Sequence, residues 1–174
     1  MNKIRKSNTA KILIAVMVLM VAGSGTAFAA TSGTLTLTGT VPSILEISVN
    51  AAGNTDLDLG IDASNVKVAT VVERSNKKSG YTVTLESENA VTQNADKGVF
   101  SNDDPDVSAS LDYTISYGGE QVSLTDGSAI ISNVSEKTAG SGASNEVAIS
   151  YNGATDFPYE GNYSDTLTFT IAAK

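Results

Sequence analysis

The stretch Tyr163–Ile171 reads YSDTLTFTI and gives the clearest indication of the fold. Leu167, Phe169 and Ile171 alternate with threonines, so an extended strand would carry its apolar side chains on one face and its threonines on the other. Threonine suits a solvated strand face, whereas the apolar face needs a core to cover it. The stretch therefore predicts a half-buried strand in a β-sheet.

The same period of two recurs along the rest of the chain. Clear runs are Thr34–Val41, Leu45–Val49, Val66–Val72, Tyr81–Leu85, Ala109–Tyr117 and Glu146–Tyr151, with weaker candidates at Leu57–Ile61, Val122–Leu124 and Ile130–Val134. Pairs such as Ser-Gly, Asp-Gly and Asn-Gly separate the runs and favour turns, because these residues tolerate positive φ. Roughly eight to ten short strands, with no helical spacing between them, predict an all-β sandwich with Greek-key connections.

The first 29 residues predict a secretory signal peptide. Lys3, Arg5, Lys6 and Lys11 come first, the apolar run Ile12–Ala22 follows, and the small-residue site Ala27-Phe28-Ala29 comes last. This order is typical of exported proteins, and we expect cleavage after Ala29 or Ala30. The apolar run is shorter than the about 20 residues of a membrane span, which makes a retained anchor the less favoured alternative. We expect the protein in the periplasm in transit, and then on the cell surface or outside the cell.

The composition of the remaining 145 residues excludes most catalytic chemistry. The 174-residue chain has no His, Cys or Trp, which removes Ser-His-Asp and Cys-His nucleophiles and most zinc or transition-metal sites. We therefore expect no enzyme activity and no cofactor. The chain also lacks the disulfides that stabilise many exported domains. Beyond residue 29 it carries 7 basic and 19 acidic side chains, a net charge of −12, which disfavours nucleic-acid binding.

The run that follows the predicted cleavage site has features of a strand that pairs outside its own domain. Leu35, Leu37, Gly39 and Val41 share one face of the extended run. Pro42 then removes a backbone donor, so strand pairing must break or reach an edge there. The segment before the proline is thus able to pair somewhere other than with its own domain.

This order of residues resembles the donor-strand extension of chaperone–usher pilins. The shared pattern is apolar-x-Gly-x-apolar, then proline, then an apolar strand directly after the signal peptide. The turn Gly161-x-Tyr163 with its alternating last strand is similar to those pilins and to spore-coat-protein-U-like domains. The resemblance covers both ends of the chain beyond the leader, and the middle matches only in length, turn content and strand count. Many such pilins carry a disulfide, which this chain lacks.

The resemblance implies an immunoglobulin-like sandwich that lacks its final strand and receives one from a neighbour. The donor positions would be Leu35, Leu37, Gly39 and Val41, with Gly39 where the groove has no room for a side chain. The acceptor positions would be Gly161 and Tyr163 in the turn and Leu167, Phe169 and Ile171 in the last strand. The implied partners are copies of the chain or related pilins, a periplasmic chaperone and an outer-membrane usher.

These observations predict a structural subunit of a pilus-like or fimbria-like surface fibre. Its parts would be the signal peptide at 1–29, the donor-strand extension at 30–42 and the sandwich domain at 43–174. Alternatively, Thr34–Val41 is an ordinary first strand of a self-contained secreted adhesin with a loop-built pocket, or of a coat or matrix protein that associates laterally. The chain lacks Trp and has an aromatic content of 6%, so few aromatic rings are present to line a carbohydrate site.

The remaining charged and aromatic clusters have ordinary structural interpretations. Asp103, Asp104 and Asp106 offer oxygen ligands for calcium. They are weak candidates, because their loop lacks the EF-hand order and acidic residues are common in turns. The segment Glu73–Lys78 (ERSNKK) is interpreted as a solvated turn with a small basic patch. Tyr113, Tyr117 and Tyr151 alternate within predicted strands and are expected in the core or in cross-strand pairs.

Overall fold

The computed structural model describes residues 31–174, so the predicted signal peptide at 1–29 lies outside the described residues. The strands are β1 (Leu45–Ala51), β2 (Asp62–Ser75), β3 (Tyr81–Ser87), β4 (Gly98–Asn102), β5 (Ser110–Tyr117), β6 (Glu120–Val122), β7 (Ser128–Val134), β8 (Ala143–Asn152), β9 (Tyr163–Ser164) and β10 (Leu167–Ala173). Two short helices, α1 (Glu88–Gln93) and α2 (Gly153–Asp156), interrupt them. The predicted all-β class is confirmed.

The strands form two antiparallel sheets. Sheet A has the order β1-β2-β8-β5-β4-β9, with β6 paired to part of β5, and sheet B has the order β10-β3-β7. Every strand pair in both sheets is antiparallel. Leu85 of sheet B packs in one core with Ile115 and Val147 of sheet A, so the two sheets face each other as in a β-sandwich.

Alternation along the strands creates this core. In β5, the side chains of Leu111, Tyr113, Ile115 and Tyr117 are buried and the residues between them are more exposed. This is the pattern that the sequence predicts for the run Ala109–Tyr117. Most of the predicted runs overlap observed strands in the same way, namely those at Leu45–Val49, Val66–Val72, Tyr81–Leu85, Ala109–Tyr117, Ile130–Val134 and Glu146–Tyr151.

Four strand predictions are wrong or incomplete. Val122–Leu124 is a strand only at Val122, the last residue of β6. Leu57–Ile61 lies in a turn, because its alternation is interrupted by Gly60 after too few residues to pair. The predicted strand Tyr163–Ile171 is divided into β9 and β10 at Asp165. The predicted strand Thr34–Val41 is absent, since residues 31–44 form no strand.

The N-terminal segment has its apolar side chains in solvent. The exposed fractions of Leu35, Leu37 and Val41 are 84%, 84% and 83%. A strand is defined by the ladder of hydrogen bonds with a partner, and this segment has none in the described part of the chain. The chain divides into two units between Gly39 and Thr40, and all the strands belong to the second.

A buried carboxylate joins the two sheets. Glu73 of β2 has an exposed fraction of 1%. From sheet B, the Tyr81 hydroxyl donates to Glu73 Oε2 at 2.8 Å, and Ser132 Oγ donates to Glu73 Oε1 at 2.6 Å. From sheet A, Tyr117 donates its hydroxyl proton to Glu73 Oε1, and Asn145 Nδ2 lies 3.3 Å from the same oxygen. These donors satisfy a charge that would otherwise be costly to bury.

The position of Glu73 corrects the interpretation of Glu73–Lys78 as a solvated turn. The first three residues of that segment continue β2, and Glu73 points inward, as do Val71 two residues before it and Ser75 two residues after it. The turn begins only after Ser75. The inward direction follows from the period of two, which continues past the last valine of the run.

Glu73 also affects the acid–base chemistry of its tyrosine partners. Burial, together with the hydrogen bond to Glu73, raises the pKa of Tyr81 from 10.0 to about 12. Burial likewise raises the pKa of Tyr117, and the hydrogen bond to Glu73 adds to the rise. Both phenols therefore favour the protonated form in the folded state, because only that form can donate to the carboxylate.

The first prediction concerns the stability contributed by Glu73. We expect Glu73→Ala to lower the free energy of unfolding by about 2–4 kcal/mol, because the hydroxyl groups of Tyr81, Tyr117 and Ser132 lose their acceptor. Glu46→Ala is the matched control, since Glu46 is exposed and pairs with Arg74 on the surface, and we expect it to cost less than about 1 kcal/mol. Urea unfolding of the two variants checks this, and equal midpoints would contradict the role of Glu73.

The second prediction concerns alkaline pH. The folded-state pKa of Tyr81 is raised above its unfolded value, so its contribution to stability is complete below pH 10 and is lost as the pH rises towards about 12. We expect the free energy of unfolding to fall across this interval, and to fall less in Tyr81→Phe. Urea unfolding at several pH values measures this. A free energy of unfolding that is constant between pH 10 and 12 would show that folding does not raise the pKa of Tyr81.

Candidate binding groove

An apolar groove lies between the edge strands of the two sheets. β1 is the edge of sheet A, β10 is the edge of sheet B, and the two strands contact each other. Within residues 31–174, no strand pairs with the outer edge of either. We call the cavity between them the edge groove, with a volume of about 250 Å³. It is lined by Val49, Ala51, Thr55, Leu57, Val68, Ala69, Phe100, Tyr113, Val147, Ile149, Asp165, Leu167 and Phe169.

Alternation in the sequence places Leu167 and Phe169 of β10 in this groove. Leu167, Phe169 and Ile171 are half-buried, whereas the threonines between them are exposed. The ring centroid of Phe169 lies 6.4 Å from that of Tyr117 on sheet A. On the opposite wall, Val49 of β1 has an exposed fraction of 50%. Apolar core side chains are therefore accessible along an unpaired sheet edge.

Aromatic side chains of sheet A form the floor of the edge groove near the start of β10. The centroids of Phe100 and Tyr113 lie 4.4 Å apart. Tyr113 lies opposite Gly98 in the β4–β5 register, and a Cβ atom on Gly98 would fall 2.2 Å from the tyrosine ring. The glycine thus provides the space in which the ring lies flat against β4.

Asp165 anchors the start of β10. Its Oδ2 accepts hydrogen bonds from Ser87 Oγ at 2.7 Å and from the Tyr113 hydroxyl at 2.5 Å. Its Oδ1 accepts from the backbone N–H of Asn89 at 3.1 Å. Burial raises the pKa of Tyr113, and the hydrogen bond to Asp165 raises it further, so the phenol remains a donor. Asp165 therefore joins β10 to both sheets at one end of the edge groove.

The predicted turn before the last strand is fixed by Gly161 and Tyr163. Gly161 has φ +143°, and a Cβ atom there would lie 2.6 Å from Asn102 Nδ2. Tyr163 pairs with Asn102 in the β9–β4 register and donates its hydroxyl to the Tyr159 carbonyl at 2.9 Å. A side chain at Gly161 would thus disturb the contact between this turn and β4.

The structure brings together only some of the residues that the sequence analysis singled out. Leu167 and Phe169 line the edge groove, and Ile171 shares their face of β10 without lining the cavity. The donor positions 35, 37 and 39 lie in the other unit of the chain. The remaining lining residues, from β1, β2, β4, β5 and β8, are distant in sequence and show only the alternation typical of a core.

A second cavity lies at one end of sheet A, and we call it the end pocket. Its volume is about 460 Å³. It is lined by Thr55, Asp56, Leu57, Asp58, Leu59, Gly60, Phe100, Gly153, Phe157, Pro158, Tyr159, Glu160, Gly161, Asn162 and Tyr163. Thr55, Leu57 and Phe100 also line the edge groove. The sequence analysis did not find this pocket, because its two main loops are about a hundred residues apart.

The acidic loop proposed as a weak calcium candidate is held by hydrogen bonds of its own. Asp103 Oδ1 accepts from Ser164 Oγ at 2.5 Å, and Asp104 Oδ1 accepts from the backbone N–H of Asp106 at 3.0 Å. Within the described residues, no group of three acidic side chains has an arrangement that could hold a metal ion. The carboxylates in this loop act as turn-stabilising acceptors.

Among residues 31–174, none of the helices is long and apolar enough to cross a membrane.

Comparisons with known proteins give little beyond this geometry. No protein-family model matches the chain, and no curated protein matches it. Among solved structures, the chain is similar to the CooA pilin subunit from enterotoxigenic Escherichia coli, with 11% sequence identity and a TM-score of 0.40 over 72% of this chain and 87% of that chain. A similarity at this level establishes neither a shared fold nor a shared function.

The third prediction tests the packing of the groove floor. We expect Gly98→Ala to lower the free energy of unfolding by about 1–3 kcal/mol or more, because the new methyl group overlaps the Tyr113 ring. Gly140→Ala is the control, since a Cβ atom there meets nothing within 4 Å and Gly140 has no positive φ. Thermal unfolding compares the two variants. A Gly98→Ala protein as stable as the control would show that Tyr113 moves freely.

Proposed function

We propose that this protein is a structural subunit of a surface fibre, in which the N-terminal segment 30–42 of one copy occupies the edge groove of the next. The observation that supports this most directly is the apolar groove between β1 and β10, two neighbouring edge strands that have no strand partner on their outer sides within residues 31–174. A groove of this kind is the complement of a single extended strand.

The geometry of β10 supports a strand as the occupant. A strand added beside β10 would form a ladder of backbone hydrogen bonds and bring every second side chain over the groove. Leu167 and Phe169 occur two residues apart on the groove wall, and Leu35 and Leu37 occur two residues apart in the N-terminal segment. The two periods match, so the apolar side chains of both strands would face the same core.

The exposure of the N-terminal segment supports its role as the donor. Leu35, Leu37 and Val41 are more than four-fifths exposed in the isolated chain. Burial of each in a groove would contribute about 1.5–3 kcal/mol. Each ladder hydrogen bond would add about 0.5–1.5 kcal/mol. A total of this size is comparable to the free energy of unfolding of an average domain, about 5–15 kcal/mol, so a donated strand would compensate for the missing disulfides.

The finer parts of the proposal rest on the resemblance to chaperone–usher pilins. They are an immunoglobulin-like Greek-key connectivity, cleavage of a signal peptide at 1–29 and a sandwich domain at 43–174. They also include a periplasmic chaperone that covers β10 before assembly and an outer-membrane usher. The role is structural rather than catalytic. A coat or matrix protein that associates laterally would have no need of the edge groove.

The fourth prediction tests strand donation between copies. The chain has no Cys, so single cysteines can be placed without background reactions. We expect disulfide-linked dimers when a Leu35→Cys or Leu37→Cys copy is exported together with a Phe169→Cys copy, because both side chains would face the groove. Thr36→Cys is the matched control, since it lies on the opposite face of the donor strand and cannot reach Phe169→Cys. Non-reducing gels with two differently tagged copies measure the dimers.

Two outcomes would contradict strand donation. Equal dimer yields from Thr36→Cys and Leu37→Cys would indicate random collision. An intrachain disulfide in a doubly substituted copy, with no dimers in mixtures of single variants, would show that the segment occupies the groove of its own chain. Leu167→Cys replaces Phe169→Cys if the loss of the phenyl ring prevents folding.

A further inference from the structure

The end pocket collects a large share of the aromatic side chains. Phe100 and Tyr163 contribute to its wall from β4 and β9, and Phe157 and Tyr159 contribute from the loop between α2 and β9. The exposed fractions of Phe157 and Tyr159 are 86% and 74%. Phe157 also has φ 46°, a backbone conformation that is unusual for a bulky residue. Two aromatic rings are therefore held in solvent at the mouth of a cavity.

The end pocket carries negative charge. Among the described residues, its lining includes the carboxylates of Asp56, Asp58 and Glu160 and contains no Lys or Arg. Asp58 Oδ1 accepts a hydrogen bond from the backbone N–H of Gly60 at 2.9 Å, which fixes its loop. Within the described part of the chain, Asp56 and Glu160 take part in no ion pair. The pocket thus combines aromatic residues with carboxylates that form no ion pair among the described residues.

We propose that the end pocket binds an organic ammonium group. The faces of aromatic rings attract cations electrostatically, and carboxylates at the same cavity strengthen the attraction. The volume of about 460 Å³ lies within the usual range for small-ligand sites. A metal ion fits less well, because no group of three acidic side chains among the described residues could hold one.

The end pocket concentrates the few aromatic residues of the chain. An aromatic content of 6% and the lack of Trp predict few rings for a carbohydrate site, but a low total does not prevent local concentration. Four aromatic residues line one cavity because two loops and two strand ends converge there. The shared chemistry is a positively charged ammonium, either quaternary, as in choline, or primary, as in a lysine side chain.

The fifth prediction is saturable binding of choline to the purified protein. Calorimetric titration compares choline, its uncharged tert-butyl analogue, lysine amide and a neutral monosaccharide. We expect choline or lysine amide to bind and the uncharged analogue to bind about tenfold more weakly or not at all, because the analogue has the shape but lacks the charge. If choline binds more tightly than lysine amide, the ligand carries a quaternary ammonium. The reverse order indicates a primary ammonium.

Variants assign the binding to the end pocket. We expect Asp56→Asn with Glu160→Gln, and separately Phe157→Leu, to weaken binding by about threefold to thirtyfold, since they remove charge or ring while keeping size. Asp112→Asn is the matched control, because Asp112 is an exposed carboxylate on β5 outside the pocket, and it should change nothing. Circular dichroism confirms that each variant is folded.

Several results would overturn the proposal. Equal binding of choline and its uncharged analogue would indicate an apolar site. Binding of the monosaccharide alone would indicate a carbohydrate site. Unchanged choline binding in Phe157→Leu would show that the phenyl ring does not contribute to the site. No binding by any probe would leave the pocket without this function. None of these outcomes bears on strand donation, because the cross-linking test involves different residues and needs no ligand.

Discussion

One buried carboxylate connects the two sheets. Glu73 lies in the core of a chain that has no Cys, and it accepts hydrogen bonds from both sheets. A buried polar group is costly without its hydrogen-bond partners, so it disfavours arrangements of the sheets that lack them. Glu73 therefore favours the observed arrangement of β2, β3, β5 and β7. Asp165 does the same at the start of β10 with Tyr113 and Ser87.

The arrangement of the sheets also sets the space between their edges. Strands β1 and β10 are neighbours whose outer edges are unpaired within residues 31–174, and the apolar groove lies between them. The groove joins the end pocket through Thr55, Leu57 and Phe100, so both candidate sites share one wall. An occupant of one site would consequently contact residues that line the other.

Alternation allowed most of the fold to be predicted, and its failures have local causes. β4 was missed because Gly98, Val99 and Phe100 are all buried, so the strand shows no period of two. α1 is too short for helical periodicity and depends on the Ser87 cap. The groove wall at Leu167 and Phe169 was predictable, since it repeats on one strand. The end pocket was not, because the proximity of residues 55–60 and 157–163 is set by tertiary structure alone.

The pairing of β10 with β3 has a consequence for the order of folding. Tyr81 lies opposite Ala173, so sheet B joins segments from the middle and the end of the sequence. Contacts over such distances form slowly, because the loop between them must close first. The complete sheet B, the Tyr117–Phe169 contact and the edge groove can thus form only after β10 has been synthesised. Until β10 is in place, β3 has a bare edge in sheet B, and the apolar face of that edge has no cover.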